Sequence, residues 1–530
     1  MDRRTFILSS TAAAAIELLP TASSAQGASQ GALPTLRWVP ANDLTILDPM
    51  FTTATITACH AMQIFDSLYG LDENYQPKPQ MVGEEIIEQD GLVWKIKLRD
   101  GLKFHDGSRV KTEDVIASIK RFGKRNPLGQ TLTELIKAIE PLDDRTFQIT
   151  LHKPFPLLSY ALSGPSSSIM PERLANTPDN TAIKEMIGSG PFRFIADKWV
   201  SGSQVVYERF KEYVPRAEGV AANTSGPKVT YIDTLKWQII GDRATAVAAL
   251  QNNEVDGIES VDNDFIPILR KDPSIQLIKG SVPSIPLMRF NHLHAPFNNV
   301  LMRRAILAVV NQTDYMTAAN GADFPEYWSD KVGVFAPGTP MASTAGLEKL
   351  TGKRDFDLAK KLIKESGYKG EAIVLLDPVD SPTHHASALI TADLFKKLGL
   401  KVDLRSMDWG SYMQKRNNQD APTDGGWHVA FTAMVGTSNL DPTSNLGIRG
   451  TGKQAWFGWP TNLEIEKLRT EWFYAKDLAE RQNLCRQIQL QVFDQVPYIP
   501  LGAIYNLMAL RKEWKNFQSE GPVFYTTKKT

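Results

Sequence analysis

The sequence predicts an α/β protein with an open, mostly parallel sheet, and three hydrophobic patterns carry that prediction. Residues 92–99 alternate apolar and charged side chains, as in a strand with one buried face. Residues 372–376 are a continuous apolar run, as in a strand that is covered on both faces. A helix over 384–398 and a strand over 401–404 follow that run, and this order favours a right-handed parallel crossover.

The other predicted elements follow from helix and turn signals. Thr112 is placed to cap a helix with acidic residues in its first turn. Residues 355–366 form an amphipathic pattern that a glycine closes. Two more helices are predicted at about 462–478 and 480–495, and the apolar segment 497–500 is predicted to be extended.

Composition narrows the class of protein. The chain has 530 residues, of which 42% are hydrophobic and 22% charged, so wholesale disorder or a coiled coil is excluded. It carries 59 basic and 59 acidic residues, and this zero net charge argues against nucleic acid as a partner. Two cysteines exclude a disulfide scaffold and a cysteine-built zinc site. At roughly 150 residues per domain, the length suits three or four units or two large lobes.

The first 25 residues predict an export signal. Arg3 and Arg4 precede a short apolar stretch, and small residues at 23–25 suit cleavage after Ala25. The segment resembles a bacterial twin-arginine signal. No cysteine lies near the cleavage site, so a lipoprotein is not expected. The alternative is an N-terminus that carries two arginines by chance.

Several short motifs follow one another in a fixed order along the rest of the chain. They are Leu47-Asp48-Pro49, Leu98-Arg99-Asp100-Gly101-Leu102-Lys103-Phe104-His105-Asp106-Gly107, Gly188-Ser189-Gly190-Pro191-Phe192, Phe290-Asn291, Asp408-Trp409, Asp441-Pro442 and Tyr498-Ile499-Pro500-Leu501.

This ordered series resembles the extracytoplasmic solute-binding proteins of family 5, the dipeptide- and oligopeptide-binding type that serves ATP-binding-cassette (ABC) importers. The resemblance implies a periplasmic-binding-protein type II fold, in which hinge strands join two lobes around a ligand and the first lobe carries an extra subdomain. It also implies a non-enzymatic binding protein, and we expect a monomer in the periplasm. Some relatives carry nickel or haem, but the histidine spacing of this chain does not predict a metal, and no cofactor is expected. Its partners would be a small molecule or peptide and the membrane permease and ATPase subunits of an importer.

The resemblance divides the chain into three parts after the signal. The first lobe takes residues 26–70, 186–282 and 497–530. The extra subdomain takes residues 71–185, and the second lobe takes residues 283–496. The long motif at 98–107 falls in the extra subdomain, where its Asp-Gly turns and Phe104 predict a structural role.

The resemblance also assigns several segments to the walls of the cleft. The ligand-binding candidates are Phe51, Thr52, Thr53, Ala54, Trp409, Met434, Gly436, Ser438, Asn439, Trp456 and Trp459. Alternatives stay open for three of these groups. Residues 51–54 also suit the start of a helix, Trp409 also suits core packing, and residues 456–460 also suit a loop that packs its own aromatics beside Arg449 and Lys453.

Ser438 departs from the family's pattern. Peptide binders of the family carry an aspartate four positions before the proline of the Asp-Pro pair, where it holds the peptide's α-ammonium. A buried ammonium needs a charged partner, and serine cannot supply the charge. Either another carboxylate replaces it, or the ligand has no free α-amine there.

Four other signals are weaker. The glycine pattern at 450–455 neither follows a clear strand nor opens a helix, so it does not predict a nucleotide site. The histidine pairs at 292/294 and 384/385 lack a standard zinc spacing and favour hydrogen-bonded roles. Cys59 and Cys485 are expected to be free thiols, with a disulfide as the alternative. Common hydrolase and ATPase motifs are absent, which favours a binder over an enzyme.

The resulting expectation is a binding component of an ABC importer that captures a peptide or peptide-like solute. The alternatives are a binder of a non-peptide solute (an opine, a glycoside or a metal chelate) and a sensory binding protein that is not coupled to transport.

Overall fold

The computed structural model describes residues 33–530 except Thr53, Glu520 and Pro522. The predicted export signal at 1–25 lies outside the described residues. No helix within the described part of the chain has both the length and the hydrophobicity needed to cross a bilayer.

The strands form three main sheets and three two-stranded pairs. In spatial order, the seven-stranded sheet contains Ile275–Lys279, Leu507–Arg511, Gly257–Ile258, Thr35–Val39, Thr234–Gln238, Gln204–Arg209 and Phe192–Phe194. The five-stranded sheet contains Val402–Met407, Ile373–Pro378, Val429–Met434, Ile285–Phe290 and Tyr498–Pro500. The four-stranded sheet contains Val82–Glu88, Val93–Leu98, Thr146–Leu151 and Ile136–Pro141. The pairs are Tyr69–Leu71 with Pro77–Pro79, Trp328–Ser329 with Ala503–Ile504, and Trp514–Lys515 with Lys528–Lys529.

Helices cover these sheets. The α-helices are Thr55–Ile64, Thr112–Arg125, Pro127–Leu135, Leu158–Ala161, Glu172–Ala175, Arg243–Gln251, Ile266–Lys271, Val300–Leu307, Gln312–Asn320, Glu348–Thr351, Phe356–Glu365, Pro382–Lys397, Trp409–Lys415, Leu463–Tyr474 and Leu478–Gln495. We call the seven-stranded sheet with its helices the first lobe, the five-stranded sheet with its helices the second lobe, and the four-stranded sheet with its helices the extra subdomain.

Most of the predicted elements are present within a few residues. The predicted crossover is parallel, since Ile373 pairs with Val402 and Pro378 with Met407. The predicted cap at Thr112 is wrong. Thr112 is already helical, and the helix start is held instead by the carboxylate of Asp114, which accepts the Lys111 N–H at 2.8 Å. The Thr112 hydroxyl donates to the Asp143 carbonyl outside the helix.

The chain passes between the two lobes twice, side by side. One crossing runs from Lys279 to Ile285, and the other runs from Pro500 to Leu507. They are paired, because the Ser284 and Ile504 backbones exchange two hydrogen bonds of 2.8 Å. The strand Tyr498–Pro500 pairs with Ile285–Phe290 and so belongs to the five-stranded sheet. The return to the first lobe therefore comes after residue 500, later than the predicted boundary at 497.

The strand directions show which edge of each sheet faces the crossings. In the first lobe, Thr35–Val39 is parallel to its neighbours Thr234–Gln238 and Gly257–Ile258, and these strands end beside Leu507, where the chain enters the sheet. In the second lobe, the parallel strands end beside Ile285, where the chain leaves the crossing. The carboxyl ends of the strands in both lobes therefore lie towards the crossings, at the edge where open α/β sheets bind ligands.

The long motif of the sequence joins the extra subdomain to the first lobe. The His105 ring accepts the Gly188 N–H at Nδ1 and donates from Nε2 to the Gly190 carbonyl at 3.0 Å. Phe104 beside it is buried. The motif thus contacts the glycine-rich motif at 188–192, and the two together form a structural clasp.

Two buried histidines are expected to make stability depend on pH. His105 and His428 each accept a backbone N–H at Nδ1 and donate from Nε2 to a carbonyl, so protonation would lose the accepted bond. Burial lowers the pKa of each to about 4. Because the unfolded chain takes up these protons first, at about pH 6.5, the stabilisation should be lost as pH falls from there towards 4.

Urea denaturation at several pH values between 7 and 4.5 would measure this loss. The His428→Asn variant should show a shallower fall in unfolding free energy than the native chain. The His152→Asn variant, whose ring is exposed, should show the native slope. Equal slopes for all three proteins would contradict the assignment.

Candidate functional site

The carboxyl edge of the second lobe gathers aromatic and cationic side chains. Strand Ile373–Pro378 leads into a helix that carries His384, and strand Val402–Met407 leads into a helix that begins at Trp409. Trp409 is half-buried, and its ring is 5.3 Å from the rings of both Tyr412 and His384. Its backbone N–H donates to the carboxylate of Asp380. The indole is therefore held in one orientation with part of its surface free.

Arg416 lies near this group, and no carboxylate of the described residues forms an ion pair with it. Its guanidinium is 4.6 Å from the centre of the Phe457 ring and has one long hydrogen bond, 3.5 Å, to the Thr432 hydroxyl. Its Nε is buried and has no hydrogen-bond partner among the described residues. Burial lowers the pKa of Arg416, although an arginine stays charged at neutral pH. The site therefore holds a positive charge that is only partly compensated.

His384 is uncharged and so leaves the positive charge of Arg416 unchanged. Burial, together with the nearby Arg416, lowers the pKa of His384 to about 4, so the ring is neutral at pH 7. Its Nδ1 is 2.7 Å from the Ser381 hydroxyl. The neutral imidazole therefore leaves the charge of Arg416 uncancelled.

The segment after strand Val429–Met434 makes the tight turn that carries Ser438. The Ser438 hydroxyl donates to the Val435 carbonyl at 2.5 Å and accepts the Val435 N–H at 3.0 Å. Gly436 between them has a φ of +51°, which favours glycine. The hydroxyl is thus already occupied within its own turn, and Val435 remains 51% exposed at the edge.

Met434 and Asn439 flank this turn and are buried. The Asn439 amide donates to the Pro283 carbonyl at 3.0 Å and to the Met434 carbonyl at 2.8 Å. Pro283 belongs to the first crossing. Asn439 therefore fastens the turn to the hinge, while contact of Met434 and Asn439 with a ligand stays a prediction.

Arg289, on a strand of the five-stranded sheet, holds the aromatic loop at 456–460 in place. This arginine is fully buried on strand Ile285–Phe290 and donates to the carbonyls of Gly447 and Phe457 at 2.7 and 2.6 Å. Its guanidinium also lies 5.0 Å from the centre of the Trp456 ring. Burial lowers the pKa of Arg289 to about 10, so it remains charged at neutral pH. Carbonyl dipoles and ring faces stabilise this cation in place of a carboxylate.

The two tryptophans of the loop at 456–460 differ in how they pack. Trp459 is 4% exposed and packs against Trp427 at 5.7 Å, so it belongs to the core of the second lobe. Trp456 is half-buried and packs edge-on against Phe457 at 4.5 Å, which leaves part of its ring accessible. Arg449 beside the loop is paired with Glu466. Of these two tryptophans, Trp456 is the one with ring surface accessible to a ligand.

The first-lobe candidates follow strand Thr35–Val39. Phe51 is half-buried, with the Arg125 guanidinium 4.1 Å from the centre of its ring. The Thr52 hydroxyl accepts the Ala54 N–H at 3.1 Å, directly before helix Thr55–Ile64. This agrees with the helix-start alternative for Thr52, while Ala54 is exposed. Thr53 lies outside the described residues.

Asp48 anchors this segment from the core. Its buried carboxylate accepts from Arg121 at 2.6 Å and from the Ile183 N–H at 2.9 Å. Arg121 belongs to helix Thr112–Arg125 of the extra subdomain, so the early Leu-Asp-Pro motif joins that subdomain to the first lobe. The Asp48 carboxylate therefore has hydrogen-bond partners within the protein.

Sequence reasoning missed three residues at the two edges. Arg289 and Arg416 carry no motif that distinguishes them from surface arginines, although Arg289 stands in an apolar strand. Glu259 directly follows strand Gly257–Ile258, and its carboxylate accepts the Ala41 N–H at 2.8 Å. Burial raises the pKa of Glu259. Only its place just after an apolar run could have indicated that it is buried.

The structure brings the second-lobe candidates together at one edge and places the first-lobe candidates on a separate segment. Trp409, Gly436, Ser438 and Trp456 follow the strand ends or the loop of the second lobe. Among the described residues, no hydrogen bond, ion pair or ring contact joins Phe51, Thr52 or Ala54 to them. The histidines and carboxylates of the described residues form no cluster that could hold a metal ion, and both cysteines are buried and free.

A family model and a curated relative match most of the chain. The model for "Bacterial extracellular solute-binding proteins, family 5 Middle" matches residues 76–456. A protein of Sinorhizobium fredii described as "Probable peptide ABC transporter periplasmic-binding protein y4tO" is 34% identical over 463 residues, which is 87% of this chain and 87% of the relative.

Solved structures share the fold. A binding protein AgaA from A. tumefaciens R10, in complex with agropinic acid, matches with a TM-score of 0.72 at 23% identity over 94% of this chain and 99% of that chain. The periplasmic binding protein DppA from Helicobacter pylori, in complex with the peptide STSA, matches with a TM-score of 0.73 at 20% identity over 93% of this chain and 98% of that chain. The two-lobed α/β fold class predicted above is thereby confirmed.

Replacing Arg289 is expected to loosen the aromatic loop. In the Arg289→Lys variant one ammonium cannot serve both the Gly447 and Phe457 carbonyls, so the unfolding free energy should fall by about 3 kcal/mol. Urea denaturation followed by tryptophan fluorescence would measure the loss. The matched control is Arg304→Lys, which alters a half-exposed pair with Asp494 and should cost less than about 1 kcal/mol. Equal losses in the two variants would contradict the role of Arg289.

Proposed function

The chain belongs to the bacterial extracellular solute-binding proteins of family 5, and we propose that it captures a small solute between its two lobes and delivers it to an ABC importer. The members of this family are non-enzymatic transporter components, so no reaction is assigned to the chain. The alternative of a sensory binder uses the same cleft without transport.

One observation carries the proposal. The carboxyl ends of the strands in both lobes lie towards the paired crossings, so a solute held there contacts both sheets at their ligand-binding edges. Exposed apolar side chains flank these edges, with Ile46 in the first lobe and Val379 and Val435 in the second. Lobe closure on a solute would remove this apolar surface from water, which favours the closed form.

The second-lobe edge favours a ligand with a negative group. Arg416 has no carboxylate partner, His384 beside it is neutral, and Trp409 offers a flat apolar face. A carboxylate could pair with Arg416 while the adjoining carbon skeleton packs on Trp409. Peptides and peptide-like acids carry such a carboxylate, and so do opines. Because position 438 is a serine and not an aspartate, opines are the best-supported alternative to peptides.

The proposed contacts come from both lobes. They are Phe51, Thr52, Thr53 and Ala54 from the first lobe and Trp409, Arg416, Gly436, Ser438 and Trp456 from the second. The division into residues 26–70, 186–282 and 497–530, with 71–185 and 283–496, is kept as a proposal, with the return crossing moved to 500–507.

The setting is part of the same proposal. The twin arginines and the small residues before Gln26 would direct export to the periplasm, where the chain would act as a monomer with membrane permease and ATPase subunits. A glycoside or a metal chelate as ligand would require contacts other than the one at Arg416.

The function can be tested through the ligand that the protein retains. Native mass spectrometry of the purified protein should reveal a bound acid, and adding that acid should raise the melting temperature, with a stabilisation that grows as the logarithm of its concentration above the dissociation constant. The Arg416→Gln variant should lose at least tenfold in affinity, because a charged hydrogen bond is removed. Arg405→Gln, which breaks a pair with Asp403 in the same lobe, should bind normally. No retained solute, and no thermal shift with peptides, opines, sugars or chelates, would refute the proposal.

Ser438 allows a test of the missing countercharge. The Ser438→Asp variant should improve the binding of peptides with a free α-amine by roughly tenfold, because a carboxylate can neutralise an ammonium. Ser438→Asn has the same shape without the charge and should give no improvement. Calorimetric titration with one tripeptide, in its free-amine form and in its N-acetylated form, would measure both. Equal effects of the two variants would show that position 438 does not face the amine.

A further inference from the structure

The extra subdomain touches the second lobe away from the crossings. The hydroxyl of Tyr160 donates to the carboxylate of Asp441 at 2.5 Å, and these residues are 281 positions apart in the chain. Nearby, the Lys153 ammonium lies 3.4 Å from the centre of the Tyr474 ring. Helix Leu158–Ala161, which carries Tyr160, packs on helix Pro127–Leu135 of the subdomain. The two bodies are thus held together by polar contacts in addition to the hinge.

The Tyr160–Asp441 hydrogen bond is part-buried, and its acceptor lies in the core. Asp441 is 4% exposed, and its other carboxylate oxygen accepts the N–H and the hydroxyl of Thr443. Burial, with the neighbouring Asp441, raises the pKa of Tyr160 well above its ordinary value, so its hydroxyl remains a donor. A charged acceptor in a buried setting makes this hydrogen bond stronger than an average one.

The surrounding contact surface is incompletely packed. A small, partly open cavity of about 50 Å³ lies between the two bodies beside the hydrogen bond. Its lining comes from both sides and includes Tyr75, Pro77 and Leu157 of the subdomain region and Met341, Trp472 and Arg481 of the second lobe. A contact with a cavity in it loses less packing on separation than a fully packed core does. The hydrogen bond therefore lies beside a gap in the packing of this contact.

The acceptor side belongs to the segment that joins the candidate site to the hinge. Within residues 435–441, Ser438 closes the turn at the ligand-binding edge, Asn439 bonds the crossing at Pro283, and Asp441 bonds the subdomain. A shift of this turn on ligand contact would move the Asp441 carboxylate relative to Tyr160. Cleft, hinge and subdomain are thus connected by seven consecutive residues.

We propose that the Tyr160–Asp441 hydrogen bond is a latch that holds the extra subdomain against the second lobe and so stabilises the closed arrangement of the lobes. The inference rests on the proposed lobe closure but not on the identity of the ligand. Losing the bond should raise the ratio of open to closed molecules roughly tenfold, the usual scale for a charged hydrogen bond.

The test measures the distance between the two bodies in the unliganded protein. Spin labels at cysteines introduced for Lys137 in the subdomain and Lys467 in the second lobe, both exposed, would report that distance by pulsed electron resonance. The Tyr160→Phe variant should add population at longer distances. The matched control is Tyr213→Phe, which removes an equally buried tyrosine hydroxyl from the Asp66 carboxylate outside the second lobe. It should leave the distances as they are in the native chain.

The contrary outcome is equally definite. If Tyr160→Phe lowers the melting temperature like Tyr213→Phe and leaves the distances unchanged, the bond is a static brace and the latch is refuted. Asp441→Ala, which removes the acceptor, provides a second variant should Tyr160→Phe fail to fold, and the same interpretation applies to it. Because these measurements use no ligand, failure of every candidate solute to bind would count against the proposed function and not against the latch.

Discussion

The paired crossings at 280–284 and 501–506 are the constraint on which the rest of this structure depends. Two backbone segments that exchange hydrogen bonds through Ser284 and Ile504 can bend together but cannot slide apart. Because each crossing enters its sheet at the carboxyl ends of the parallel strands, the loops after those strands are brought towards each other. The second-lobe candidates follow strand ends at this edge for this reason, although they are far apart in the chain.

Two arginines of the second lobe show how a buried cation can have different consequences. Arg289 donates hydrogen bonds to the carbonyls of Gly447 and Phe457, and these bonds hold the aromatic loop in its conformation. Among the residues that the structure describes, Arg416 finds no partner for its buried Nε and makes one long side-chain hydrogen bond. The first arginine is a structural element that is complete by itself. The second is left with charge and hydrogen-bonding capacity for a solute.

Much of the fold could be read from local patterns, because periodicity and motif order are local properties. The strands at 93–98 and 373–378 and the crossover helix between 382 and 397 appear close to their predicted positions. Side-chain roles were less predictable. Thr112 resembled a cap but bonds a distant carbonyl, and Trp459 resembled a cleft residue but fills a core against Trp427. In both cases the deciding partner comes from a remote part of the chain.

The sequence by itself determined the family, the α/β class and the absence of an aspartate at position 438, since each depends on residue identity and order. Only the tertiary structure decided which polar groups are already satisfied. The Ser438 hydroxyl is used within its own turn, Asn439 is used by the hinge, and Arg416 is left with capacity to bind. The physical reason is that a hydrogen bond depends on which atoms meet in space, and residues from distant segments meet only when the two sheets and their crossings are assembled.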